Sequence, residues 1–130
     1  MHLIFLSVLL LTPLLSSAVK ENPLFDAYHT SISIKEENQR LDNYAIQLKN
    51  SPGSRALIVV YSENEQSTPA AKARARRAVR YLVKTRGLEP ARVVMRFEGA
   101  CSRHNQILLY LFYANEADRP PDPKCLEAAE

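Results

Sequence analysis

Ala56-Leu57-Ile58-Val59-Val60-Tyr61 is apolar at every position and rich in β-branched residues. Such a strand has no polar face to give to water, so it must lie centrally in a sheet and be covered on both sides. That requirement shapes the rest of the fold: other strands must flank it and helices must cover it. The neighbouring segments supply both. Residues 23–32, with Leu24, Phe25, Tyr28, Thr30 and Ile32, alternate in part and read as a strand. Ser33-Ile34-Lys35-Glu36 has the spacing of a capping box. A helix follows to about Asn50, with Ile34, Leu41, Tyr44, Ala45 and Leu48 at helical intervals, and Ser51-Pro52-Gly53 ends it. Residues 62–67 form a polar turn. Thr68 then suits an N-cap and Pro69 the first helical position. The second helix is predicted over 69–86, with Gly87 as its stop and Ala71, Ala75, Ala78, Val79 and Leu82 as a narrow apolar stripe. Residues 93–97 read as a strand, 98–105 as a loop and 106–113 as a last, strongly apolar strand. The order β-α-β-α-β-β predicts an α+β sandwich, one mixed sheet with two helices packed on it. At 130 residues there is room for one domain.

The two ends carry a different message. Residues 3–15 are almost continuously apolar, broken only by Ser7, Thr12 and Pro13, and Ser16-Ser17-Ala18 follows with small side chains. This is the pattern of a signal peptide over residues 1–18, cleaved after Ala18, although its start, Met1-His2, lacks the usual Lys or Arg. The run is shorter than the roughly 20 residues a membrane-spanning helix needs. The expected product is a periplasmic or secreted domain over 19–113 with a polar, Pro-rich tail over 114–130. Cys101 and Cys125 are an even pair, which in an oxidising compartment reads as one disulfide tying that tail to the domain. Cys101, His104 and Cys125 also read as three soft metal ligands, but zinc sites usually show paired short spacings and here there is one. Cys101 and His104 as nucleophile and base find no further support in the sequence.

Several function classes fall away. Gly53, Gly87 and Gly99 stand far apart, which excludes a phosphate loop or dinucleotide fingerprint. No CxxC, HExxH or GxSxG occurs, and no convergent acid, base and nucleophile are visible, so neither an enzyme nor a cofactor nor a metal is expected. His29 and His104 read as structural, and Tyr110 and Tyr113 as sheet packing. The most unusual feature is the second helix, which carries Lys72, Arg74, Arg76, Arg77, Arg80, Lys84 and Arg86 without one acid, in a chain of net charge +3. Arg76, Arg80 and Lys84 recur every four residues with Arg77 beside them. This basic face suits an anionic envelope polymer or lipid head groups, and it also suits plain solvation. Nucleic acid is disfavoured by export and by the absence of interleaved aromatics.

A set of spaced segments carries a resemblance. Arg40-Leu41-Asp42-Asn43-Tyr44-Ala45-Ile46-Gln47-Leu48 is followed by Pro52 and the strand Leu57–Tyr61, then Arg74-Ala75, Tyr81-Leu82-Val83 and Arg86-Gly87-Leu88-Glu89-Pro90-Ala91-Arg92-Val93. Over about residues 25–113 this resembles the OmpA-like C-terminal domain of bacterial envelope proteins, most of all its short, stand-alone exported versions. The resemblance implies non-covalent binding of peptidoglycan, in which an Asp after the central strand and an Arg in the next helix grip diaminopimelate of the stem peptide. A carboxylate pairs the ligand's ammonium and a guanidinium forks onto its carboxylate. Arg74 matches the Arg. The family's Gly-Tyr-Ser/Thr-Asp is Val60-Tyr61-Ser62-Glu63 here, so Glu63 or the adjacent Asn64 stands in the place of the Asp. The family's terminal Asn-Arg-Arg is represented by Asn105-Gln106-Ile107. The resemblance therefore implies an envelope-binding module with Glu63, Asn64 and Arg74 at its site. The alternative is a protein-interaction domain on the same scaffold with a vestigial site, meeting an envelope protein instead.

Overall fold

The computed structural model describes residues 24–100 and 103–113. The expected signal segment over 1–18, the expected tail over 114–130 and both members of the expected Cys101–Cys125 pair lie outside the described residues. The chain runs β1 (Leu24–His29), α1 (Ile34–Lys49), β2 (Ser54–Ser62), α2 (Thr68–Arg80), β3 (Val93–Ala100) and β4 (Gln106–Tyr113). The strands form one sheet in the order β1-β4-β2-β3. β2 runs antiparallel to β4 and parallel to β3, and β1 runs antiparallel to β4, so the sheet is mixed. The all-apolar strand is central, as its composition demands: Ala56 to Tyr61 are all buried. No helix among the described residues is long and apolar enough to cross a membrane.

Both helices pack on one face of the sheet. Leu41, Tyr44, Ala45 and Leu48 of α1 and Ala71, Ala75 and Ala78 of α2 join Ala56, Ile58, Val60, Ile107 and Leu109 in one core. The small residues of α2 let its backbone lie close to the strands beneath it. On the other face Leu57, Val59, Tyr61, Tyr110 and Phe112 form a second cluster drawn from β2 and β4. The Tyr44 hydroxyl crosses beneath the sheet to donate to the Tyr110 carbonyl.

Local chemistry sets the element ends, and it corrects five expectations. Ser33 caps α1, its hydroxyl accepting from the Glu36 amide at 3.1 Å, but the Glu36 carboxylate turns to Arg40 at 3.4 Å. Ile34 is 44% exposed; Glu37 holds the buried position in the first turn instead. The cap of α2 falls on Ser67 rather than Thr68, and Thr68 opens the helix with Pro69 second. Neither hydroxyl caps the helix: Thr68 bonds the Asn64 carbonyl at 3.1 Å and Ser62 Oγ at 2.7 Å, and Ser67 at the cap position makes no side-chain cap bond. The helix ends not as a plain α-helix to residue 86 but in a π-turn over Tyr81–Thr85, closed by the Arg86 amide on the Tyr81 carbonyl at 3.1 Å. Gly87 then turns the chain at φ 72°, and the Leu88 amide reaches the Leu82 carbonyl at 3.1 Å. The expected loop over 98–105 starts later, because β3 continues to Ala100. Val60 pairs with Phe97 and Tyr61 with Gly99, so Glu98 is the extra residue of a bulge, with Gly99 at φ 139° beside it.

Candidate functional site

The C-terminal end of β2 is where three connections meet. Asn105, just before β4, holds them together. Its side-chain oxygen accepts from the Glu63 amide at 2.9 Å and from the Ser67 hydroxyl at 2.9 Å, and its backbone carbonyl accepts from the Thr30 amide at 2.9 Å. Asn64 is bound within the same loop: its side-chain oxygen accepts from the Ser67 amide at 2.9 Å, and its own amide donates to Ser67 Oγ at 3.3 Å. The loop of Glu63 and Asn64 is therefore a fixed turn with an exposed Glu63 carboxylate at its start. Stacked His29 and His104 rings, with centroids 4.4 Å apart, stand at the same end of the sheet. Among the described residues no group of three or more His, Cys, Asp or Glu gathers in a way that could hold a metal ion.

Arg74 takes a different direction. It lies on the flank of α2 that faces α1, and its side chain is 18% exposed. Its Nη2 donates to the Ile32 carbonyl at 2.8 Å, and its Nε stands 3.0 Å from Glu37 Oε1. The structure thus joins Glu63 and Asn64 to Ser67 and Asn105, and joins Arg74 to Glu37 and Ile32. Glu37 is wholly buried. The same Oε1 accepts from Arg77 Nη1 at 2.7 Å, while Arg77 Nη2 donates to Asn38 at 2.5 Å. Arg77 also sits over the Tyr81 ring, 5.9 Å from its centroid. The Tyr28 hydroxyl is buried in the same cluster; burial first, and then the Glu37 charge, push its pKa well above the ordinary tyrosine value. A carboxylate this deep in a protein is stable only when paired, and removing either kind of partner leaves an uncompensated charge.

The basic face is narrower than the spacing implies. Arg77 is not on it, because positions 74 and 77 share the flank turned toward α1 and its buried acid. Arg76, Arg80 and Lys84 are exposed, and none of the three makes an ion pair or hydrogen bond among the described residues. Arg86 is drawn off as well: its Nε donates to Asp42 at 2.6 Å, and the Tyr81 hydroxyl donates to the same oxygen at 2.5 Å. Lys72 lies over the Phe97 ring at 4.6 Å.

Glu37, Asn38, Asp42 and the full reach of Asn105 are the residues that the sequence reading missed. Glu37 had left a trace. It stands four residues before Leu41 on the stripe Leu41, Tyr44, Leu48, where an acid has no reason to be unless a cation meets it inside. Comparison with protein-family models and with curated proteins finds no match to this chain.

Proposed function

We propose that the chain is an exported envelope-binding module that associates non-covalently with peptidoglycan or another anionic component of the cell wall, through the exposed side of α2. One observation carries the reading: Arg76, Arg80 and Lys84 form an outward ridge with no acid paired to it among the described residues, while every neighbouring arginine of the helix that faces inward is spent on a partner. Successive members stand about 6 Å apart along the axis, a spacing that suits repeated negative charges on a polymer better than a single small anion. Contact of this kind is salt-sensitive, because it releases counterions and is screened over about 8–10 Å at ordinary ionic strength.

Residues 19–130 should sediment with purified sacculi at low salt and be released as salt rises. The triple variant R76A, R80A and K84A should lose most of this binding and Arg74→Ala should keep it. The opposite pattern, salt-resistant binding that vanishes with Arg74→Ala, would move the contact to Arg74 and the Glu63–Asn64 loop and defeat the ridge. A second reading is favoured by the pairing of Arg74 with Glu37, which leaves the stem-peptide site without its free guanidinium. In that reading the scaffold meets an envelope protein, and neither chain sediments with sacculi at any salt.

A further inference from the structure

Glu37 is the only Asp, Glu, Lys or Arg that is fully buried among the described residues. Its surroundings are unequal: two guanidinium groups meet one carboxylate, and they meet it through one oxygen. Oε1 takes Arg77 at 2.7 Å and Arg74 at 3.0 Å, while Oε2 is buried and takes neither guanidinium; the buried Tyr28 hydroxyl is a third neighbour of the same carboxylate. Arg74 Nε, for its part, is within ion-pair distance but forms no hydrogen bond there. A carboxylate that met a guanidinium freely would use both oxygens in a parallel fork.

Each of the two arginines also has an anchor apart from Glu37. Arg74 is anchored by the Ile32 carbonyl at 2.8 Å. Arg77 is anchored by Asn38 at 2.5 Å and by the Tyr81 ring. Both rise from the same helix three residues apart, on a segment held to the core by Ala71, Ala75 and Ala78. Positive groups held in place by other bonds, around a negative group that pairs imperfectly, are the makings of a preorganised anion site.

We propose that Arg74 and Arg77 form a carboxylate-binding site whose occupant is the chain's own Glu37, so that an external carboxylate enters only where the Glu37 carboxylate is removed. The site is closed from inside. It holds whether or not the outward ridge of α2 binds an envelope polymer, since the two share no side chain.

The test is chemical rescue on the full-length protein, with acetate as probe and chloride at equal ionic strength as control. Glu37→Ala leaves a carboxylate-sized space between the two guanidiniums. Acetate should raise its thermal midpoint above that in chloride, by about 5 °C at concentrations well above the dissociation constant. Wild type should show only the small, general difference between the two salts, and Glu37→Ala combined with Arg74→Ala should fall back to it. Equal midpoints for Glu37→Ala in the two salts overturn the proposal, as does the same rise in wild type or in the double variant. Should Glu37→Ala fail to fold in either salt, the comparison is repeated with trimethylamine N-oxide present, an uncharged osmolyte that favours folding and carries no carboxylate. A rise with acetate over chloride there supports the site, and its absence overturns it.

Discussion

Asp42 shows how much one half-buried carboxylate can carry. Desolvation alone would raise its pKa, but hydrogen bonds from Tyr81 and Arg86 and the Arg86 charge outweigh it, and the net shift is downward. A carboxyl with a lowered folded pKa contributes stability that is complete above the unfolded value of about 4 and is lost as pH falls through the folded value. Asp42→Asn should therefore flatten the acid side of the stability curve below about pH 4, as read by urea unfolding across pH; an unchanged acid limb would remove Asp42 from it. Tyr44 tests burial rather than charge. Its hydroxyl serves the Tyr110 carbonyl from a fully buried ring, so Tyr44→Phe should cost about 1–2 kcal/mol in the same assay. Neither residue's partner was legible in the sequence. Leu41, Tyr44 and Leu48 announced the buried side of their helix by spacing alone. What Asp42 and Glu37 meet depends on a second helix some 40 residues on, and hydrophobic periodicity does not encode which flank of one helix faces another.

The elements themselves were legible because each has a local cause. The capping residue Ser33, the stop at Gly87 and the apolar strand all act within a few residues of chain, and all stand where the sequence placed them. The misplaced ends, at Thr68 and over 98–100, came from side-chain competition and from a bulge, and both depend on a neighbouring strand or loop. Gly87 offers a clean test at this scale. An added Cβ meets nothing within 4 Å there, so Gly87→Ala should cost only the backbone strain of φ 72°, about 1–2 kcal/mol. Asn105→Ala probes the joint between loops. Loss of its side-chain oxygen should leave the Glu63 amide without its acceptor, and hydrogen exchange there should quicken while the Tyr61 amide in β2 keeps its protection. Equal exchange in the variant and wild type would show that the turn over 63–67 holds itself.

For the molecule as a whole, the two faces of the sheet can be weighed against each other with neighbouring residues. Val59 and Val60 are both 0% exposed and point to opposite clusters. Val59→Ala and Val60→Ala should each cost about 2–3 kcal/mol. A much smaller loss at Val59 would make the outer cluster a surface and not a second core. The strand order was the part of the fold that sequence left open, since alternation tells how a strand is covered but not what it lies beside. That order has a consequence in time. β1 has one neighbour in the sheet, β4, and its residue His29 pairs with Gln106. A chain that emerges N-terminus first, from a ribosome or through a translocation channel, must hold Leu24–His29 without a partner until almost the whole domain has followed. Such a late closure favours slow folding and leaves a strand open to the wrong neighbour in the interval, so a helper that shields extended, partly apolar segments would matter most to this chain at its beginning rather than at its end.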